Sequence, residues 1–124
     1  KNLTDYIFLI DAIGACVSGI LLCLIFKFQY AFGMPEEVLL FLLPIPAIFG
    51  VYSLISHYLR PNYWPFLLLL IAIANLTYGS ITLVFCLIHY KELTVLGWTY
   101  FTLEFAVLLL LAIIEIRISQ RKGL

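Results

Sequence analysis

Three carboxylates lie inside stretches that carry almost no other charge. Asp11 sits in "YIFLIDAIGACVSGILLCLIFKF", and Glu104 and Glu115 sit in "GWTYFTLEFAVLLLLAIIEIRIS". An unpaired charge at the centre of a bilayer is costly, so acids in such runs face a protein interior and hold a proton or find a partner. The side chains that could serve them are His57, Asn75 and Tyr100, the last one helical turn from Glu104. Groups of this kind can take up and release protons or bind a ligand. One His and two carboxylates could also coordinate an ion, but nothing in the spacing selects for one and no metal is expected. Cys16, Cys23 and Cys86 form no CxxC pair, which leaves no zinc or dithiol redox motif. They are read as packing groups, since a free thiol behaves as a small hydrophobe. With no nucleophile or cofactor motif beside the acids, no residue is assigned as catalytic and no cofactor is expected.

The composition says what kind of scaffold must hold these groups. Hydrophobic residues make up 65% of the chain and charged ones 11%, with a mean hydropathy of +1.12. Soluble domains carry roughly 25% charged residues, so the chain reads as an integral membrane protein, with a single domain over 1–124. A net charge of +0 argues against a nucleic-acid partner, which needs clustered Lys and Arg. The partners expected are the lipid bilayer and, beyond it, other membrane subunits or a second copy.

Four apolar runs are visible: Tyr6–Phe28, Val38–Leu59, Trp64–Tyr90 and Val95–Ser119. Each has the roughly 20 residues that a helix needs to cross a hydrocarbon core. Backbone groups in lipid must bond within their own segment, so spans of this length are helices. The loops between them are short, which makes consecutive helices antiparallel neighbours. The expected fold is all-α, a four-helix bundle running up-down-up-down.

Pro35 followed by Glu36 and Glu37 predicts the start of the second helix, with acids at its positive end. Asn62 is expected to cap the third helix and Thr94 the fourth. The chain begins at Lys1, read as loss of an initiator Met or a short leader. Its first run is too long for a signal h-region, contains Asp11 and lacks an A-x-A site, so it is expected to stay in the mature protein. Lys1, Arg60, Arg117, Arg121 and Lys122 flank one side, against Lys27 and Lys91 on the other. The positive-inside rule then places both termini in the cytoplasm, with a bacterial inner membrane as the expected location.

At 100° per residue each helix shows a stripe of polar and small residues. These are Asp11, Ala15 and Ser18 with Gly14 beside them; Pro46, Gly50, Ser53 and His57; Asn75, Gly79, Thr82, Cys86 and His89; and Gly97, Tyr100, Glu104 and Glu115. Small residues let helices approach closely in lipid and polar ones bond across the contact, which accounts for Gly14, Ala15, Ser18, Gly50, Ser53, Gly79 and Thr82. Counting from the helix ends puts Asp11, His57, Glu115 and Arg117 near the inner side, where an ion-pair network is expected, with proton or ligand binding as the functional alternative. Glu104 falls near mid-depth, at the level of Asn75 and Ser18. It is expected to be neutral and to donate to Asn75 or to a carbonyl freed on the second helix. Pro44 and Pro46 supply such carbonyls, because their nitrogens cannot bond back to Leu40 and Leu42.

The "FGMP" loop and the "VYSL" stretch resemble small four-span bacterial membrane proteins, a resemblance that covers the whole chain and implies no particular activity. In length and span number the chain is also similar to small multidrug-resistance transporters, which carry one membrane acid in the first helix. Here that acid would be Asp11, but the family's surrounding motif does not appear and its function is not carried over. The expectation is a non-enzymatic accessory or binding subunit that packs against partners through the polar and small-residue seam. The alternative is a proton-coupled carrier or channel using Glu104 and Asp11. A third reading is an interfacial lipid or quinone enzyme using His57, Asp11 and Glu115.

Overall fold

The computed structural model describes residues 3–122, with side chains from residue 5 onward. Lys1, counted above among the inner basic residues, lies outside the described residues. Among the described residues six helices follow in order: α1 (Leu3–Lys27), α2 (Gln29–Phe32), α3 (Glu36–Leu42), α4 (Pro44–Leu59), α5 (Trp64–Ile88) and α6 (Val95–Arg121). Among the described residues there is no strand.

α3 and α4 are one rod with a flaw in it. Leu43 between them keeps helical angles (φ −55°, ψ −45°) and its N–H still reaches the Leu39 carbonyl. Pro44 and Pro46, on either side of Ile45, have no N–H, so the ladder is interrupted there. Pro35, in extended conformation, ends the preceding loop, and Glu36 and Glu37 occupy the first turn. Thr94 caps α6 by accepting from the Gly97 N–H at 3.1 Å. Asn62 does not cap α5: the helix starts after Tyr63, with Pro65 in its first turn and no side-chain cap. Proline in the first turn removes one orphan donor, which lowers the demand for a capping side chain.

Among the described residues three segments are long and apolar enough to cross a membrane: Asp5–Lys27, Glu36–Leu59 and Trp64–Ile88. α1 packs most extensively on α4, and α5 on α6. Small residues set the first contact, since a Cβ on Gly50 would lie 3.5 Å from that of Ala15, and one on Gly19 3.8 Å from that of Pro46. At one end the two pairs are tied through their loops. The Thr94 hydroxyl donates to the Ala31 carbonyl, and its N–H donates to Phe32 O at 3.2 Å. Gly33 makes this possible: its φ is +82°, and a Cβ there would sit 2.0 Å from the Glu92 carbonyl oxygen. Only glycine fits that turn and that approach. Met34 beside it is buried in the cluster of Leu22, Ile25, Leu39 and Phe101. The FGMP loop thus locks one end of the molecule.

A second apolar cluster, built on Ile7, Phe8, Leu68, Ile71 and Ile118, fills the opposite end. Large apolar side chains also cover the outside. Ile13 and Ile20 on α1, Ile48 and Val51 on α4, and Leu103, Val107 and Leu110 on α6 are all more than half exposed. Inside, by contrast, lie Asp11, Ser53, Asn75, Thr82, Glu115 and Ser119.

Candidate functional site

The interior polar residues form two levels. The first is assembled by all four long helices. α1 supplies Asp11, α4 Ser53, α5 Asn75 and α6 Glu115, each no more than 3% exposed. Asn75 Nδ2 donates to Asp11 Oδ2 at 3.2 Å. Glu115 lies against Asp11 and Asn75, and Ser53 lies beside Asp11. Both oxygens of Glu115 and the Ser53 hydroxyl are buried without a hydrogen-bond partner.

A donor count shows what this arrangement demands. Two ionised carboxylates are acceptors only, and in this pair a single N–H serves them. No Lys or Arg is among the buried described residues. Unpaired buried acceptors are expensive, and buried charge more so. One proton held between the two carboxyls changes the count: a carboxylic acid donates to a carboxylate, a short and strong bond. With both carboxyls ionised, the pair would be short of donors.

The second level is centred on Glu104, which is half-buried. The Ser18 hydroxyl donates to its Oε1 at 2.7 Å, and the Tyr100 hydroxyl donates to its Oε2. Both oxygens are therefore met by O–H donors, one from α1 and one from the preceding turn of α6. The buried Tyr78 of α5 lies near this carboxyl.

A cavity of about 40 Å³ lies between the levels. Asp11 and Asn75 line one end and Ser18, Tyr78 and Glu104 the other, with Gly14, Pro46 and Leu108 in its wall. Asp11 and Ser18 are seven residues apart on α1, so the levels are about 10 Å apart along the helix.

Several expectations need correction. Glu104 does not donate to Asn75 or to a carbonyl of the broken helix; it accepts from Ser18 and Tyr100, and Asn75 serves Asp11 instead. The inner ion-pair network does not form, because Arg117 points outward from α6 and is exposed. His57 does not join the acids: its ring stacks on Tyr6 at 6.5 Å and meets Tyr58 edge-on at 5.1 Å, and its Nδ1 is buried without a partner. Among the described residues His57, Asp11 and Glu115 do not form a set that could hold a metal.

Of the residues singled out from sequence, Asp11, Asn75 and Glu115 come together, and so do Glu104 and Tyr100. Ser53 and Ser18 had been assigned to packing, yet each sits against an acid. Tyr52 and Tyr78 were missed. Tyr52 donates from its hydroxyl to Leu67 O at 2.8 Å, bridging α4 to α5 beside Asp11. The signal for Tyr52 and Ser53 was the VYSL stretch itself, which places them side by side. Comparisons of the chain with protein families, with curated proteins and with solved structures give no match.

Proposed function

We propose that this chain is an integral membrane protein in which α6 crosses alongside the three apolar segments, giving four spans running up-down-up-down. Its inside-out polarity supports the reading, with apolar stripes outward and acids inward on α1 and α6 alike. Register supports it as well. Asp11 meets Glu115 and Ser18 meets Glu104, so α1 and α6 run antiparallel; Gly50 against Ala15 and Gly19 against Pro46 do the same for α1 and α4. The excess of Arg and Lys at one end favours both termini in the cytoplasm, with the bacterial inner membrane as the host.

Within that frame we propose a proton-coupled carrier or channel, in which the Asp11–Glu115 pair is the proton-binding site and Glu104 a second one. The observation that carries this is Glu115, wholly buried, beside another acid, with neither oxygen bonded. An acid kept only to clasp helices would be served by donors, as Glu104 is. Docking through the polar seam fits less well, because those residues are consumed inside one chain. A narrower accessory reading draws on a different feature, an apolar groove between α1 and α4 lined by Ala12, Gly19, Ala47 and Gly50 and open to the outside, where another membrane helix could lie.

The test is proton flux into sealed proteoliposomes under a potassium diffusion potential. Wild-type protein is expected to acidify the interior well above protein-free liposomes, and Asp11→Asn and Glu115→Gln to abolish the difference. Wild-type flux at the protein-free level would overturn the transport reading.

A further inference from the structure

The two acid levels are too far apart to exchange a proton directly, and the space between them is unfilled, with polar groups at its two ends and a mostly apolar wall. About 10–15 Å³ of room for a water centre suffices for one molecule, provided two to four polar groups hold it. The cavity gives about 40 Å³, room for up to three waters. It also offers the carboxyls of Asp11 and Glu104, the amide of Asn75 and the hydroxyls of Ser18 and Tyr78. Dry cavities are lined by apolar groups alone; this one is not. Hydrogen-bonded waters spaced about 2.8 Å apart span what remains of the separation once the side chains have reached in from both ends.

We propose that this cavity is a water-binding site that joins Glu104 to the Asp11–Glu115 pair and carries protons between them. The proposal rests on the proton-handling reading above and specifies its route. The groups that face the route are named element by element. α1 contributes Asp11 and Ser18; α4 contributes Ser53 and, next to Asp11, Tyr52; α5 contributes Asn75 and Tyr78; α6 contributes Tyr100, Glu104 and Glu115. Among the described residues no Lys or Arg lines the cavity, so no cationic side chain there repels a passing proton. Transfer is balanced at each step: a protonated Glu104 gives its proton to the adjoining water, each water passes on a different proton, and the last gives one to the ionised member of the pair.

Gly14 is the point at which the route can be closed without dismantling the site. It lines the cavity, and a Cβ built on it meets nothing within 4 Å. Gly14 stands at the exposed edge of the cavity, so Gly14→Leu brings a bulky side chain against its open side, and Val17→Leu, on the exposed face of α1 and outside the cavity lining, is the control. Two readouts are taken: proton flux in proteoliposomes, and the infrared carboxyl band of Glu104, assigned by its loss in Glu104→Gln. In the open chamber Asp11→Asn is expected to shift the Glu104 band, because the waters couple them. In a Gly14→Leu background that shift is expected to vanish, and flux to fall at least tenfold while Val17→Leu keeps it. Flux unchanged in Gly14→Leu overturns the water route and leaves the transport reading standing. A Glu104 band blind to Asp11→Asn in wild type overturns the water link outright. Coupled bands without wild-type flux support the water link and overturn the transport reading.

Discussion

Asn75 on α5 gives its amide N–H to Asp11 on α1 at 3.2 Å, while among the described residues both oxygens of the neighbouring Glu115 are buried without a hydrogen-bond partner. Everything proposed for this protein turns on the imbalance. The site is built from side chains that suit a proton and leave acceptors wanting without it.

Removing Asn75 should therefore be felt twice. Asn75→Ala takes the amide donor away from Asp11 and is expected to destabilise the protein by about 1–3 kcal/mol, read as a lower unfolding midpoint in detergent. Asn75→Leu, similar in size but without the N–H, should behave the same way, which separates the lost bond from the lost volume.

Glu115 should matter to stability as well as to function. Glu115→Met removes the carboxyl with which Asp11 would share its proton, and is expected to lower the unfolding midpoint in detergent by about 1–3 kcal/mol of stability while eliminating proton flux. A raised unfolding midpoint in Glu115→Met would mean that the two carboxyls share no proton in the folded protein.

The loop lock should be intolerant of a single methyl group. Gly33→Ala must accept a positive φ and a carbonyl oxygen 2.0 Å away, and is expected to cost well over about 1 kcal/mol. Thr94→Ala loses both the α6 cap and the bond to Ala31, for about 1–2 kcal/mol. Thermal unfolding in detergent checks both.

Topology can be read by impermeant thiol labelling of intact cells, using Cys placed at Glu37, Asn62, Glu92 and Lys122 in a background whose own cysteines are replaced by Ser. Labelling of Glu37 and Glu92 positions from outside, with Asn62 and Lys122 protected, is the expected pattern. A Lys122 position labelled like Glu92 would show that α6 does not cross.

How much of this could be read from the residues alone varies with the link in the chain. The helices and their polar stripes were legible, because 3.6-residue periodicity survives any tilt; Asp11, Asn75 and Glu115 are buried and Glu104 half-buried. The pairing of levels was not. Counting residues from helix ends put Asn75 beside Glu104, but side chains lean toward their helix N-terminus. α5 and α6 start at opposite ends, so Asn75 leans toward Asp11 and Glu104 leans away from it. The same effect carries Glu115 up toward Asn75. Arg117, two residues from Glu115, is turned by about 200° around α6, which is why closeness in sequence did not make it a partner. Ser18 and Ser53 were read by their size, and their hydroxyls only acquired meaning once the acids opposite them were located.

The most direct measurement is an infrared difference spectrum of the folded protein in lipid at neutral pH, wild type against Asp11→Asn and Glu115→Gln. A protonated-carboxyl band in wild type that disappears or shifts in both variants is what a shared proton requires. Carboxylate bands alone, unchanged in number by either substitution beyond the residue removed, would contradict it.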